Sequence, residues 1–213
     1  LLFCIGFANP LIGYFINVKQ FRMHLITTFF FFIGVLIIGL IPFPLIYGLS
    51  ILTRIIVYNL IGYRKKVVRT NLEGCFPDFG KEEIERITRL FYKNLADVFI
   101  EGIKAFTMTR RQIKRRHRII NPELLNELYQ SGRNVIGVTG HYANWEWGSL
   151  SPGLQTPYNI VAFYKPLSNK YINRFVLWSR SRFGTTLSPI KETTLTFERF
   201  KDKRTLFLMA ADQ

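Results

Sequence analysis

His141 and Glu146 stand five residues apart in Gly140-His141-Tyr142-Ala143-Asn144-Trp145-Glu146-Trp147, and that pair of side chains suits proton transfer. Imidazole exchanges protons near neutrality, and a nearby carboxylate holds its tautomer and stabilises the imidazolium. Such a pair takes a proton from a hydroxyl so that the oxygen attacks an electrophilic carbon. The spacing alone is weak, because a histidine near a glutamate is more often a surface or structural pair. The setting strengthens it: the chain has 3 histidines, and this one sits between Gly140 and Gly148 with Trp145 and Trp147 beside it. No phosphate-binding glycine loop of the nucleotide-binding types occurs, which argues against nucleotide hydrolysis.

To do this chemistry His141 must be presented by a scaffold, and the flanking pattern supplies one. Residues Asn134 to Gly140 read as a buried strand that delivers His141 at its C-terminal end, where open α/β sheets place their ligands. A helix starting around Asn144 puts Glu146 in its first turn, within reach of the imidazole. Asn159 to Tyr164, Thr185 to Ile190 and Thr205 to Met209 read as three more strands. Helical stretches separate them: one from Asn121-Pro122-Glu123 to a stop at Gly132, one over Tyr171 to Arg182, one over Thr193 to Phe200. The class is α/β, with a central mostly parallel or mixed sheet flanked by helices. Upstream, Ile84, Ile87, Leu90, Phe91, Leu95, Val98, Phe99 and Ile103 recur at helical spacing over Lys81 to Phe106, predicting an amphipathic helix that packs on this stripe. Asn71 to Asp78 predicts a loop. Arg110 to Arg118 carries seven basic residues counting His117, and should face solvent or phosphate.

From Leu25 to Ile41 there is no charge, and the apolar run continues past Pro42 and Pro44 before Arg54. About 20 apolar residues cross a bilayer, so a membrane helix is expected, either one full span or a helix followed by an interfacial one; a single anchor is the preferred reading. The basic residues that follow, from Arg64-Lys65-Lys66 onward, place the large C-terminal part on the cytoplasmic side. A net charge of +15 favours an anionic partner, phosphate-bearing lipid or nucleic acid. The 2 cysteines, Cys4 and Cys75, make neither a disulfide framework nor a metal site and suit a reducing compartment. The sequence opens on Leu1 and stops at Gln213 after a strand-like run, which suggests a piece of a longer protein with Met23 as a candidate natural start.

The segment from His141 to Glu146 resembles the histidine, four residues, acid motif of the lysophospholipid acyltransferase superfamily, specifically of the lipid A biosynthesis (lauroyl/myristoyl) acyltransferases. Arg64 to Leu72, Cys75-Phe76-Pro77, Tyr164-Lys165-Pro166-Leu167 with Asn169, Arg180-Ser181-Arg182-Phe183-Gly184 and Ala211-Asp212-Gln213 resemble that family's other motifs. The similarity runs from about Met23 to Gln213. It implies a glycerolipid acyltransferase-like fold, with residues 1–22 as an N-terminal extension, 23–62 as the membrane-anchor region and 63–213 as an acyltransferase domain that the family would continue further. It also implies direct transfer of an acyl group from acyl carrier protein thioester to a hydroxyl of a phosphorylated lipid A precursor, at the cytoplasmic face of a bacterial inner membrane. No metal or cofactor is called for. His141 is then the base and Glu146 its orienting acid. Arg180 and Arg182 stabilise an oxyanion or hold a lipid phosphate; Lys165 contacts phosphate, Asn144 lies at the substrate, and Asp212 enters the same site from a strand end. Rival readings are an acyltransferase with a glycerophospholipid or aminoacyl lipid acceptor, and a membrane-anchored nucleic-acid or anion binder, against which the absence of any nucleic-acid-binding motif speaks.

Overall fold

The computed structural model describes residues 10–212, and the side chains of 20–212. Leu1 to Asn9, which include Cys4 and the start of the expected extension, lie outside the described residues, as does Gln213 of the Asp212-Gln213 motif.

Four strands form one sheet: β1 Val135–Thr139, β2 Asn159–Tyr164, β3 Thr185–Pro189 and β4 Thr205–Ala210, in the order β1-β4-β2-β3. Every pairing is parallel, which settles the choice between a parallel and a mixed sheet. Thr139 pairs with Ala210 across β1 and β4, so the C-terminal ends of these two strands finish level. β1 is an edge strand rather than a buried one: Ile136 and Val138 are 54% and 70% exposed.

Nine α-helices surround the sheet among the described residues. Preceding β1 are α1 Pro10–Leu40, α2 Phe43–Arg54, α3 Lys65–Cys75, α4 Lys81–Ala105, α5 Arg110–Arg116 and α6 Pro122–Gln130. After it come α7 Trp145–Leu150, α8 Lys170–Ser181 and α9 Thr193–Phe200. Pro42 explains the break between α1 and α2, because its ring tolerates only the first turn of a new helix. α2 loosens into a π-helical turn over Ile55–Ile61 and stops at Gly62, whose φ of +64° suits glycine. The stretch 71–75, expected as loop, closes α3 instead; helix ends only where Phe76, ahead of Pro77, leaves the helical region.

Gln20–Leu40 and Phe43–Ile61 are each long and apolar enough to cross a membrane, by length and composition. They do not stand apart from the domain. Ile38, Phe43 and Ile46 share one core with Ile100, Ala105, Met108, Ile113, Trp147, Leu150 and Phe183. α4 packs through Ile84, Thr88, Tyr92, Ala96, Ile100 and Lys104, a strict four-residue stripe against its helical neighbours. This corrects the expected packing face: Leu90, Phe91, Leu95 and Phe99 point outward. The helix is apolar on two sides, and the neighbouring helices cover the one that carries Tyr92.

Candidate active site

The level ends of β1 and β4 create the site. Gly140 and His141 continue from β1, Ala211 and Asp212 from β4, and the Ala211 N–H donates to the Thr139 carbonyl at 2.9 Å to hold the two exits together. Gly140 makes this approach possible, since a Cβ there would sit 3.0 Å from Asp212 Oδ2. Asp212 then accepts twice from one residue: the His141 backbone N–H reaches Oδ2 at 2.6 Å and ring Nδ1 reaches Oδ1 at 2.7 Å. These two bonds, the backbone one foremost, hold the Asp212 carboxyl below the usual carboxylate range. An ionised carboxylate only accepts, so the proton lies on Nδ1 and the Nε2 lone pair is left as the basic position. Among the described residues Nε2 has no protein partner. The ring is further braced edge-to-face by Trp145, centroids 4.9 Å apart.

The imidazole's carboxylate partner therefore differs from the expectation. Glu146 does lie in the first turn of α7, but both its oxygens are engaged by Arg180 of α8, Nε to Oε2 at 3.0 Å and Nη2 to Oε1 at 2.5 Å. This bidentate pair is partly shielded, with side chains 29% and 27% exposed, and ties α7 to α8. A pair five residues apart looks local, whereas the actual partner of His141 lies 71 residues away.

Between His141 and α7 the chain turns sharply, with Ala143 in the left-handed region at φ +50°. Asn144 then caps α7, its Oδ1 accepting from the Trp147 N–H at 3.3 Å. Its Nδ2 donates to Glu101 Oε2 at 3.0 Å, and the residue is buried. With both ends of its amide engaged, Asn144 shapes the loop rather than presenting a polar group to substrate. Arg182 is placed similarly: its guanidinium donates to the carbonyls of Ala105 at 2.7 Å, Met108 at 3.4 Å and Ser179 at 3.1 Å, closing the end of α4. Lys165 is exposed directly after β2, on the same edge of the sheet as His141 and Asp212.

Two supports were not foreseen. Glu101 on α4 joins Asn144 to the hydroxyl of Tyr47 on α2, which donates to Oε1 at 2.8 Å. Lys104 donates to the carbonyls of Ile38 at 3.2 Å, Gly39 at 2.6 Å and Ile41 at 2.7 Å, satisfying the open end of α1. Burial lowers its ammonium pKa. Nothing in the sequence marks either residue, since both read as the polar side of a helix.

A family model described as bacterial lipid A biosynthesis acyltransferase matches residues 17–213. The chain is 26% identical over 161 residues to the lipid A biosynthesis lauroyltransferase of Escherichia coli (strain K12), covering 75% of this chain and 52% of that protein. It is 24% identical over 141 residues to the lipid A biosynthesis palmitoleoyltransferase of the same organism, covering 66% and 44%. A lipid A biosynthesis acyltransferase of Haemophilus influenzae (strain ATCC 51907 / DSM 11121 / KW20 / Rd) matches at 24% over 144 residues, 68% and 45%. The chain spans about half the length of these relatives. With the match covering nearly all of it, the α/β chain that carries this site belongs to the bacterial lipid A biosynthesis acyltransferase family.

Proposed function

We propose that this chain transfers a fatty acyl group from a thioester, carried by acyl carrier protein, to a hydroxyl of a lipid A precursor at the cytoplasmic face of the inner membrane. The observation that carries the reading is the Asp212-oriented imidazole of His141, with its second nitrogen open to a substrate. Nε2 takes the proton of the acceptor hydroxyl as the oxygen bonds to the thioester carbonyl carbon. The carbon–sulfur bond then breaks, and the leaving thiolate receives the proton from the imidazolium. Asp212 holds the ring and stabilises its charged form. Arg180, fixed by Glu146 through Nε and Nη2, keeps Nη1 for the carbonyl oxygen that gains charge or for a lipid phosphate. Lys165 serves the phosphate. The family membership supports the acceptor class, and the net charge of +15 suits both an acidic carrier and a phosphorylated lipid.

The test is acyl transfer from acyl carrier protein thioester to a tetra-acylated lipid A precursor in detergent. Removing a general base by His141→Ala should slow kcat by about 10²–10⁴-fold. Equal rates for the two proteins would sink the mechanism, and transfer only to glycerophospholipid would move the acceptor.

A further inference from the structure

A cleft of about 670 Å³ opens beside the α1–α2 elbow, lined by Phe43, Pro44, Gln112, Arg115, Arg116 and Trp147. We infer that it binds the anionic headgroup phosphate of a membrane lipid, in addition to the substrates of acyl transfer.

The lining is selective by charge. It contains two guanidinium groups and no carboxylate, and neither arginine takes part in an ion pair among the described residues. Arg116 is held in place: its guanidinium lies 3.4 Å from the centre of the Phe43 ring, and its Nη1 reaches the Tyr47 hydroxyl oxygen at 3.5 Å. Stacking of this kind leaves the edge of the fork for an anion. Gln112 adds a donor, because its Oε1 is occupied by the Thr109 N–H at 2.9 Å while its amide nitrogen has no partner among the described residues. Arg115 and Arg116 lie in the last turn of α5, where the negative end of the helix dipole stabilises their charge.

The walls say what else the ligand carries. Phe43, Pro44 and Trp147 give an apolar surface that a small inorganic anion would leave unused. Phe43 and Pro44 open α2, and the elbow around them exposes Leu40 at 77% and Leu45 at 64%. A phosphate on the arginines with acyl chains along this apolar elbow satisfies both halves of the lining, which fits a lipid better than an acidic protein.

Flotation of the whole chain with phosphatidylcholine vesicles, with and without phosphatidic acid, tests this without any acyl transfer. Arg115→Gln/Arg116→Gln should weaken binding to the anionic vesicles by roughly tenfold or more, whereas Arg111→Gln/Lys114→Gln, equal in charge but outside the cleft, should weaken it by less than about threefold. Arg116→Lys, which keeps charge and removes the stacked fork, should fall between them. All these positions are exposed, so every variant should keep the fold, with only the Arg116 changes melting slightly lower for the lost stacking on Phe43. Equal losses from both pairs would mean diffuse charge and overturn the site. Displacement by inorganic phosphate, beyond that by chloride at matched ionic strength, would make it a phosphate site that needs no lipid. Unchanged vesicle binding with loss of acidic carrier protein binding would hand the cleft to a protein partner.

Discussion

The site holds two carboxylates, and each has its own partner: Asp212 serves His141, and Glu146 serves Arg180. That division predicts the outcome of double-mutant cycles on the rate of transfer. His141→Ala with Asp212→Asn should cost little more than His141→Ala alone, and Arg180→Ala with Glu146→Gln little more than Arg180→Ala alone. Asp212→Asn with Glu146→Gln should cost close to the product of the single losses. Strong coupling of Glu146 to His141 instead would show that Glu146 is the working partner of the imidazole. A different histidine sets the response to acid. His117 Nδ1 lies 2.6 Å from the hydroxyl of Ser151, and Gln155 Nε2 donates to that same oxygen at 3.0 Å. With Gln155 donating to it, the hydroxyl keeps its own proton for a neutral ring, and burial lowers the His117 pKa from its ordinary 6.5. The folded pKa is the lower one, so the unfolded chain takes up the proton first. The stability His117 contributes is full above 6.5 and is lost as pH falls from there through the folded value. Melting temperature should drop between neutral and mildly acid pH, and His117→Gln should flatten that slope. Parallel slopes in parent and variant would remove His117 as the cause.

At the scale of elements, α7 is aimed by α4. Asn144 donates to Glu101 Oε2, Tyr47 donates to Oε1, and the Trp147 indole donates to the Glu101 carbonyl at 3.4 Å. Two donors converge on one side chain, and only a carboxylate accepts from both without rearrangement. Glu101→Gln turns an N–H group toward a donor, a mismatch of about 1–3 kcal/mol that should lower kcat several-fold. Glu101→Gln/Asn144→Asp reverses the polarity of the bond and keeps a cap on α7, so kcat should recover toward the parent. A double variant as slow as the single one would show that Glu101 matters for some other reason. The elements themselves were legible: strand segments lie within a residue or two of their expected limits, and α8 runs over Lys170–Ser181 where Tyr171 to Arg182 was expected. Local pattern carries that much. Strand order is not local, so the neighbour that brings Asp212 to His141 had to come from the fold, and proximity in sequence favoured Glu146. The face of α4 failed for a related reason, because two apolar stripes share one helix and the partner helix decides which is covered. Glu101 and Lys104 gain their roles only through what packs above them.

Over the whole molecule, the apolar helices and the α/β domain pack together. Asn169 Nδ2 donates to the His24 carbonyl at 2.9 Å and to the hydroxyls of Thr27 at 3.1 Å and Thr28 at 2.9 Å. Phe31 and Phe32 pack edge-on against Phe175, and Lys104 closes the far end at Ile38, Gly39 and Ile41. These contacts follow α1 from His24 to Ile41, about 26 Å at 1.5 Å per residue, close to the hydrocarbon thickness of a bilayer. A helix crossing the membrane over that length would drag α8 and the end of α4, with Lys104, Arg174 and Arg180, into the hydrocarbon. Charged groups there are costly, so α1 and α2 are expected to lie in one leaflet, with Phe29, Phe30, Leu36 and Leu40 turned to lipid. Fluorophores at these four positions, introduced as single cysteines after Cys4 and Cys75 are changed to Ser, report depth in vesicles through quenchers placed near the headgroup or near the chain end. Similar shallow depths at all four positions, with weak quenching from the chain end throughout, fit a helix lying in the interface. Depth that changes steadily from Phe29 to Leu40, about 17 Å of helix, and reaches the midplane at one end of the set would establish a span. It would then require the domain to separate from α1 over most of this contact line.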